Sequence, residues 1–104
     1  KLDKRIANAI NYVECNLQKT LTINTLASAA NLSNTQFKVL FKQQTGLTAM
    51  SYVSRARIEK AQALLSHTDY PLKIISELVG YTDLSSFSRR FTQIVGLPPS
   101  KFKQ

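Results

Sequence analysis

The chain has 104 residues, and its 14 Lys and Arg against 6 Asp and Glu give a formal net charge of +8. This length accommodates one compact domain or two small lobes that share a helix, and it excludes a deep substrate cavity. The single cysteine excludes an internal disulfide and is typical of a reducing compartment, and no apolar run approaches the roughly 20 residues of a membrane span. With no signal peptide in the sequence, we expect a cytoplasmic protein whose basic charge favours a polyanionic partner.

Apolar residues recur at helical spacing along the whole chain, and no stretch shows sustained strand alternation. The spacing predicts about seven helices, over 3–17, 23–30, 33–45, 49–66, 71–79, 84–95 and 98–102. The predicted N-caps are Asp3, Thr22, Ser33, Thr48 and Asp83. Ser33 followed by Gln36 forms a capping-box pattern, whereas Thr25 stands where a Glu would complete a second box after Thr22. On the long fourth helix the expected apolar face comprises Met50, Val53, Ala61, Leu64 and Leu65.

Two segments, 31–52 and 80–102, share one pattern. Phe37, Phe41, Gly46 and Leu47 recur fifty residues later as Phe87, Phe91, Gly96 and Leu97. Upstream the offset falls to forty-nine and pairs Leu32 with Tyr81 and Ser33 with Thr82, so the second copy has one extra residue in its turn. The pattern predicts an all-α fold of two helix-turn-helix lobes, over about 3–47 and 71–104, joined by a long linker helix over about 49–66.

The third and sixth helices each have an apolar face and a polar outer face. Helical geometry places Phe37, Leu40, Phe41 and Gln44 on the core side of the third helix, and Phe87, Phe91 and Ile94 on that of the sixth. The outer faces comprise Thr35, Lys38, Val39 and Lys42 on the third helix, and Ser85, Ser88, Arg89 and Thr92 on the sixth. No acidic residue occurs between Cys15 and Ile58, or from Leu84 onward. Short polar side chains beside a long cation are typical of a helix that lies in a DNA major groove.

Other residues are expected to contact phosphates or to support the fold. The predicted phosphate contacts, at helix starts and flanks, are Ser33, Asn34, Gln36, Lys42, Lys73, Thr82, Ser86, Ser88 and Arg90. The predicted structural residues, besides the four Phe, are Gly46, Gly80, Gly96 and Arg57. Arg57 falls within the apolar stripe of the fourth helix, so we expect it to pair with Glu77 or Asp83. The sequence contains no metal-ligand cluster, glycine-rich phosphate loop or catalytic constellation, so no cofactor or enzymatic activity is expected.

The segments LASAANLSNTQFKVLFKQQTG, RIEKAQALL and IISELVGYTDLSSFSRRFTQIVGLPPSKF, in this order, resemble the DNA-binding domain of AraC/XylS transcription regulators. The resemblance covers about residues 6–103. It implies that the third and sixth helices enter successive major-groove segments of double-stranded DNA. The base-reading positions that it implies are Thr35, Lys38, Val39, Leu84, Ser85 and Arg89. Val39 and Leu84 are apolar at positions where a hydrogen-bonding side chain could read a base edge, although both can contact a thymine methyl.

The resemblance also implies a role for the longer protein. This chain would be the C-terminal output domain of a bacterial, nucleoid-associated regulator, an activator that contacts RNA polymerase. A sensing and dimerising domain would precede Lys1, so no small molecule and no membrane contact are expected within this chain. Two other hypotheses stay open from the residues alone: a helical module that binds an acidic protein surface, and an enzyme, which is the weakest because no catalytic constellation is present.

Overall fold

The computed structural model describes residues 1–102, and within them it contains seven helices and no strand. The helices are α1 (Lys4–Cys15), α2 (Ile23–Ala29), α3 (Asn34–Thr45), α4 (Ala49–His67), α5 (Leu72–Leu78), α6 (Leu84–Val95) and α7 (Pro99–Phe102). The predicted all-α fold is confirmed. The final two positions of the predicted second lobe, Lys103 and Gln104, lie outside the described residues. Between residues 1 and 102, no helix has both the length and the apolar character that a membrane crossing requires.

The chain divides into two compact units, and the division lies inside α4, between Val53 and Ser54. The first unit contains α1, α2 and α3 with the first residues of α4. The second contains the remainder of α4 with α5, α6 and α7. The helix predicted as a linker therefore belongs to both units: Val53 is buried in the first, and Ile58 and Ala61 are buried in the second.

Side-chain caps fix where most helices begin, because the first backbone N–H groups of a helix have no partner within it. The Asp3 carboxylate accepts from the Arg5 N–H, and the Ser33 hydroxyl accepts from the Gln36 N–H at 3.2 Å. The expectation that Thr25 leaves the α2 capping box incomplete is wrong. The Thr22 N–H donates to Thr25 Oγ1 at 3.0 Å and the Thr25 N–H donates to Thr22 Oγ1 at 3.2 Å, so a hydroxyl replaces the usual carboxylate.

The turns between α2 and α3 and between α5 and α6 are built in the same way. The Leu32 N–H donates to the Ala27 carbonyl at 3.0 Å, and its counterpart in the second copy, the Tyr81 N–H, donates to the Ser76 carbonyl at 2.9 Å. Both bonds reach five residues back, as in a helix C-terminus that closes through a residue of positive φ. The repeat thus includes the turn geometry as well as the helix pattern.

The extra residue of the second turn can be located from these contacts. The positive-φ residues of these two turns are Asn31 at 57° and Gly80 at 101°, forty-nine positions apart. The helix caps that follow are Ser33 and Asp83, fifty positions apart. Ser33 therefore corresponds to Asp83 rather than to Thr82, and the inserted residue lies between Gly80 and Asp83.

Each unit has a buried aromatic cluster in which equivalent rings pack alike. In the first, Phe37 and Phe41 have centroids 5.4 Å apart, and Tyr52 meets Phe41 edge to face at 5.4 Å. In the second, the corresponding rings are Phe87, Phe91 and Phe102, with centroid distances of 5.8 and 5.6 Å. The four Phe residues of α3 and α6 are at most 1% exposed. The aromatic repeat therefore extends from α3 and α6 into the next helix.

Two residues predicted on core faces lie at the surface. Met50 is 39% exposed, and Ile58 and Ala49, absent from the predicted face of α4, are buried instead. Gln44 is also exposed, and its side-chain oxygen accepts from the Asp3 backbone N–H, which connects α3 to the start of α1.

Candidate nucleic-acid interface

The outer face of α3 is exposed at every predicted position. Thr35, Lys38, Val39 and Lys42 are all open to solvent, and Val39 is 54% exposed. An apolar side chain of this exposure has no core role, so its methyl groups are available to a partner. Phe37 and Phe41 on the opposite side hold the helix in place, so the exposed face has a fixed orientation within its unit.

The outer face of α6 carries the longer cation. Ser85, Arg89 and Thr92 are exposed, and Leu84 is 40% exposed at the first position of the helix. Ser88 is only half-buried rather than fully exposed, and its backbone carbonyl accepts from the Thr92 hydroxyl at 2.8 Å. Counted from the caps, Arg89 occupies the position that Val39 occupies in α3.

The α5–α6 turn is held by Arg57 from α4. A guanidinium nitrogen donates to the Gly80 carbonyl at 2.6 Å, and the guanidinium carbon lies 5.8 Å from the centre of the Tyr81 ring. The predicted pairing with Glu77 or Asp83 is wrong: Glu77 bonds Lys73 at 3.2 Å, and Asp83 caps α6. Burial lowers the pKa of Arg57, an effect that Tyr81 partly opposes, yet an arginine stays protonated at neutral pH.

Several predicted phosphate contacts already bond within the protein. Ser33 and Gln36 share the α3 capping box, and the Asn34 amide donates to the Asn24 side-chain oxygen at 2.6 Å. Ser86 bonds to Asp83, and Lys73 pairs with a carboxylate on its own helix. Lys42, Thr82 and Arg90 are exposed. Because the side chains that bond within the protein are held in place, any phosphate bound there would meet side chains of defined orientation.

Tyr81 is a residue that the site prediction missed. It lines a surface groove, the α6 groove, together with Ser86, Arg89, Arg90 and Gln93. Burial raises the pKa of its phenol, which the nearby charges of Arg57 and Arg90 partly oppose, so the hydroxyl is a donor at neutral pH. The available signal in the sequence was the pairing of Leu32 with Tyr81 in the repeat. In the structure, Leu32 lines a groove at the same place in the first unit.

Acid is expected to weaken the cap of α6. Hydrogen bonds from the Ser86 backbone and side chain, with the charge of Arg89, hold the pKa of Asp83 below its ordinary value of 3.8. A carboxylate with a folded-state pKa below its unfolded value adds stability above the unfolded pKa and loses it as the pH falls through the folded one. We expect the urea concentration at the unfolding midpoint to decrease as the pH falls below about 4. Asp83→Asn keeps an N-cap side chain and is expected to make this decrease smaller.

Urea denaturation followed by circular dichroism from pH 6 to pH 2.5 would measure this dependence. Asp69→Asn removes the same charge outside a helix cap and serves as the control. Identical pH profiles for the two variants would contradict the expectation for Asp83.

Comparison with known proteins identifies the class to which these paired units belong. Residues 26–104 match the family model described as a helix-turn-helix domain. The chain is 38% identical over 93 residues to the probable transcriptional regulator LumQ of Photobacterium leiognathi, which covers 89% of this chain and 38% of that protein. It is 33% identical over 103 residues to the arabinose operon regulatory protein of Salmonella typhimurium, covering 98% of this chain and 37% of that protein.

A solved structure agrees with these relatives. The C-terminal domain of AraT, a response regulator from Geobacillus stearothermophilus, superposes with a TM-score of 0.94 at 28% identity, covering 99% of this chain and 86% of that one. The two units are therefore the paired helix-turn-helix elements of a DNA-binding transcription regulator, a class without enzymatic activity. The chain belongs to the AraC/XylS family and corresponds to its C-terminal DNA-binding domain. It spans little more than a third of the length of the two curated relatives.

Within residues 1–102, no group of three or more His, Cys, Asp or Glu side chains is arranged to hold a metal ion.

Proposed function

We propose that this domain recognises a specific double-stranded DNA sequence, with α3 and α6 lying in successive major-groove segments. The observation that supports this most directly is the equivalence of the two outer faces. Each is largely exposed and without acidic residues, and each carries short side chains beside long cations, Lys38 and Lys42 in α3 and Arg89 in α6. Short side chains permit close approach, while the cation can donate to guanine O6 and N7.

The base contacts are assigned by position on these faces. We assign them to Thr35, Lys38, Val39, Leu84, Ser85 and Arg89. Arg89 is the strongest candidate for hydrogen-bonded readout, because a guanidinium can bond two acceptors of one guanine. Val39 and Leu84 are exposed apolar side chains suited to a thymine methyl. We therefore expect the second unit to contribute more of the hydrogen-bonded specificity.

Phosphate contacts would orient the domain without reading the sequence. We assign them to Ser33, Asn34, Gln36, Lys42, Lys73, Thr82, Ser86, Ser88 and Arg90. For Lys73, the ion pair with Glu77 is exposed at both ends and therefore weak enough for a phosphate to compete.

The function of the longer protein is a further proposal. We infer that this domain is the output module of a bacterial activator that contacts RNA polymerase. In this proposal the protein acts on the nucleoid in the cytoplasm and dimerises through a domain outside this chain. The two curated relatives are regulators about two and a half times as long as this chain, which supports its place as one module of a longer regulator.

Salt dependence tests whether the basic faces meet DNA. Each phosphate neutralised contributes about −0.9 to the slope of log affinity against log salt. Three assigned phosphate contacts, Lys42, Lys73 and Arg90, are cations, so we expect a slope of about −3 or steeper from fluorescence anisotropy on a short duplex. Absence of duplex binding at low salt would contradict the proposal and favour a module that binds an acidic protein surface.

Selection of bound sequences from a random duplex pool tests sequence specificity. The expected result is an enriched site with two half-sites about one helical turn apart, one for each recognition helix. A pool that binds tightly but yields no enriched sequence would restrict the function to non-specific DNA binding.

A further inference from the structure

The groove beside Tyr81 has a counterpart in the first unit, which we call the α3 groove. Five of its lining residues, Leu32, Gln36, Val39, Leu40 and Gln43, correspond through the repeat to Tyr81, Ser86, Arg89, Arg90 and Gln93 of the α6 groove. Each groove thus runs along the same flank of its recognition helix, next to the turn that precedes it.

The two grooves differ in where their positive charge comes from. The α6 groove has two guanidinium groups on its own helix, Arg89 and Arg90. The corresponding α3 positions are the shorter, uncharged Val39 and Leu40, and the α3 groove is larger, about 420 Å³ against about 190 Å³. Its guanidinium belongs to Arg5, which reaches the groove from α1.

Contacts at the start of α1 orient Arg5 in the free domain. The Asp3 carboxylate accepts from Arg5 Nε at 3.1 Å and from a terminal nitrogen at 3.0 Å, so two bonds orient the guanidinium plane. The Asp3 backbone N–H donates to the Gln44 side chain on α3, which connects this arrangement to the recognition helix. The Arg5 side chain is nevertheless 52% exposed.

We propose that Arg5 contacts a DNA phosphate beside the first recognition helix, which makes α1 part of the interface. This inference rests on the proposed DNA binding. It assigns a phosphate contact to a residue that lies outside the two repeated segments, 31–52 and 80–102. The Asp3–Arg5 pair is open to solvent on the Arg5 side, so an approaching phosphate can compete for the guanidinium, which matches phosphate geometry well. In the second unit Arg89 and Arg90 supply this charge from α6 itself.

Arg5→Gln tests the proposal against Lys4→Gln, its matched control. Both changes remove one positive charge from neighbouring exposed positions of α1, but only Arg5 lines the groove. We expect Arg5→Gln to weaken binding about five- to tenfold near 0.1 M salt, equally on specific and random duplexes, and to make the salt slope about 0.9 shallower. The control is expected to change the affinity less than twofold.

A second pair of variants acts in the opposite direction. Asp3→Asn keeps an N-cap side chain and releases Arg5 from its carboxylate, so we expect tighter binding than for Glu14→Gln, an equal charge change farther along α1. Circular dichroism of each variant verifies folding. If Arg5→Gln matches Lys4→Gln while wild type binds and Arg89→Ala weakens specific binding, the Arg5 proposal is overturned and the proposed function stands. A wild-type domain that binds no duplex would overturn both.

Discussion

Replacing Phe91 by alanine is expected to lower the free energy of unfolding by about 3–5 kcal/mol. The Phe91 side chain is 0% exposed and its ring packs between Phe87 and Phe102, at centroid distances of 5.8 and 5.6 Å. Alanine would remove the ring and leave a cavity that the cluster of Ile58, Ile75 and Val79 cannot close without moving. Since small domains have only about 5–15 kcal/mol of total stability, a measurable fraction of the second unit would unfold.

Urea denaturation followed by circular dichroism measures this loss, with Gln93→Ala as the control. Gln93 is exposed on the same helix and its replacement is expected to change stability by less than about 0.5 kcal/mol. Phe41→Ala removes the equivalent ring of the first unit and is expected to cost about as much. A loss below about 1 kcal/mol for Phe91→Ala would show that its packing does not hold the second unit together.

Arg89→Ala is expected to weaken binding to the selected DNA site by about 1–3 kcal/mol, or about 5- to 150-fold, and to relax the preference at one base pair. The expectation follows from the exposed position of Arg89 on a helix face that contains no acidic residue. The alanine variant loses the bidentate contact to guanine with the guanidinium. No neighbouring side chain of that face is long enough to replace this contact.

The matched control is Lys42→Ala, which removes an exposed cation of the first unit assigned to phosphate. It should weaken selected and random duplexes alike and make the salt slope about 0.9 shallower. Anisotropy titrations on both duplexes separate the two patterns. Equal losses on selected and random DNA for Arg89→Ala would remove its assigned role in base reading.

Features of the fold that depend on near neighbours in sequence were predictable. Within residues 1–102, all seven helices begin within one residue of the predicted position, because capping side chains and helical periodicity act over three or four residues. Gly46 and Gly96 end α3 and α6 at φ of 81° and 99°. Both donate to a carbonyl four residues back at 2.9 Å. These contacts need no information about the rest of the chain.

Features that depend on rotamers or on approach between elements were not predictable. A hydroxyl at Thr25 completes a capping box because its oxygen reaches the Thr22 N–H, which residue type alone does not reveal. Arg57 donates to the Gly80 carbonyl because the turn presents this oxygen 2.6 Å from its guanidinium. A search for charged partners considers carboxylates only and misses such an acceptor.

The sequence by itself determined the two helix-turn-helix copies and the family. It also determined the exposed faces of α3 and α6, because a repeat with helical periodicity specifies helix faces without tertiary contacts. The tertiary structure alone decided which residues complete each groove. Tyr81 comes to Arg89 and Arg90 through the turn that Arg57 holds, and Arg5 comes to Val39 through the packing of α1 on α3. Residues distant in the chain meet only when helices pack, so no periodic pattern could place them together.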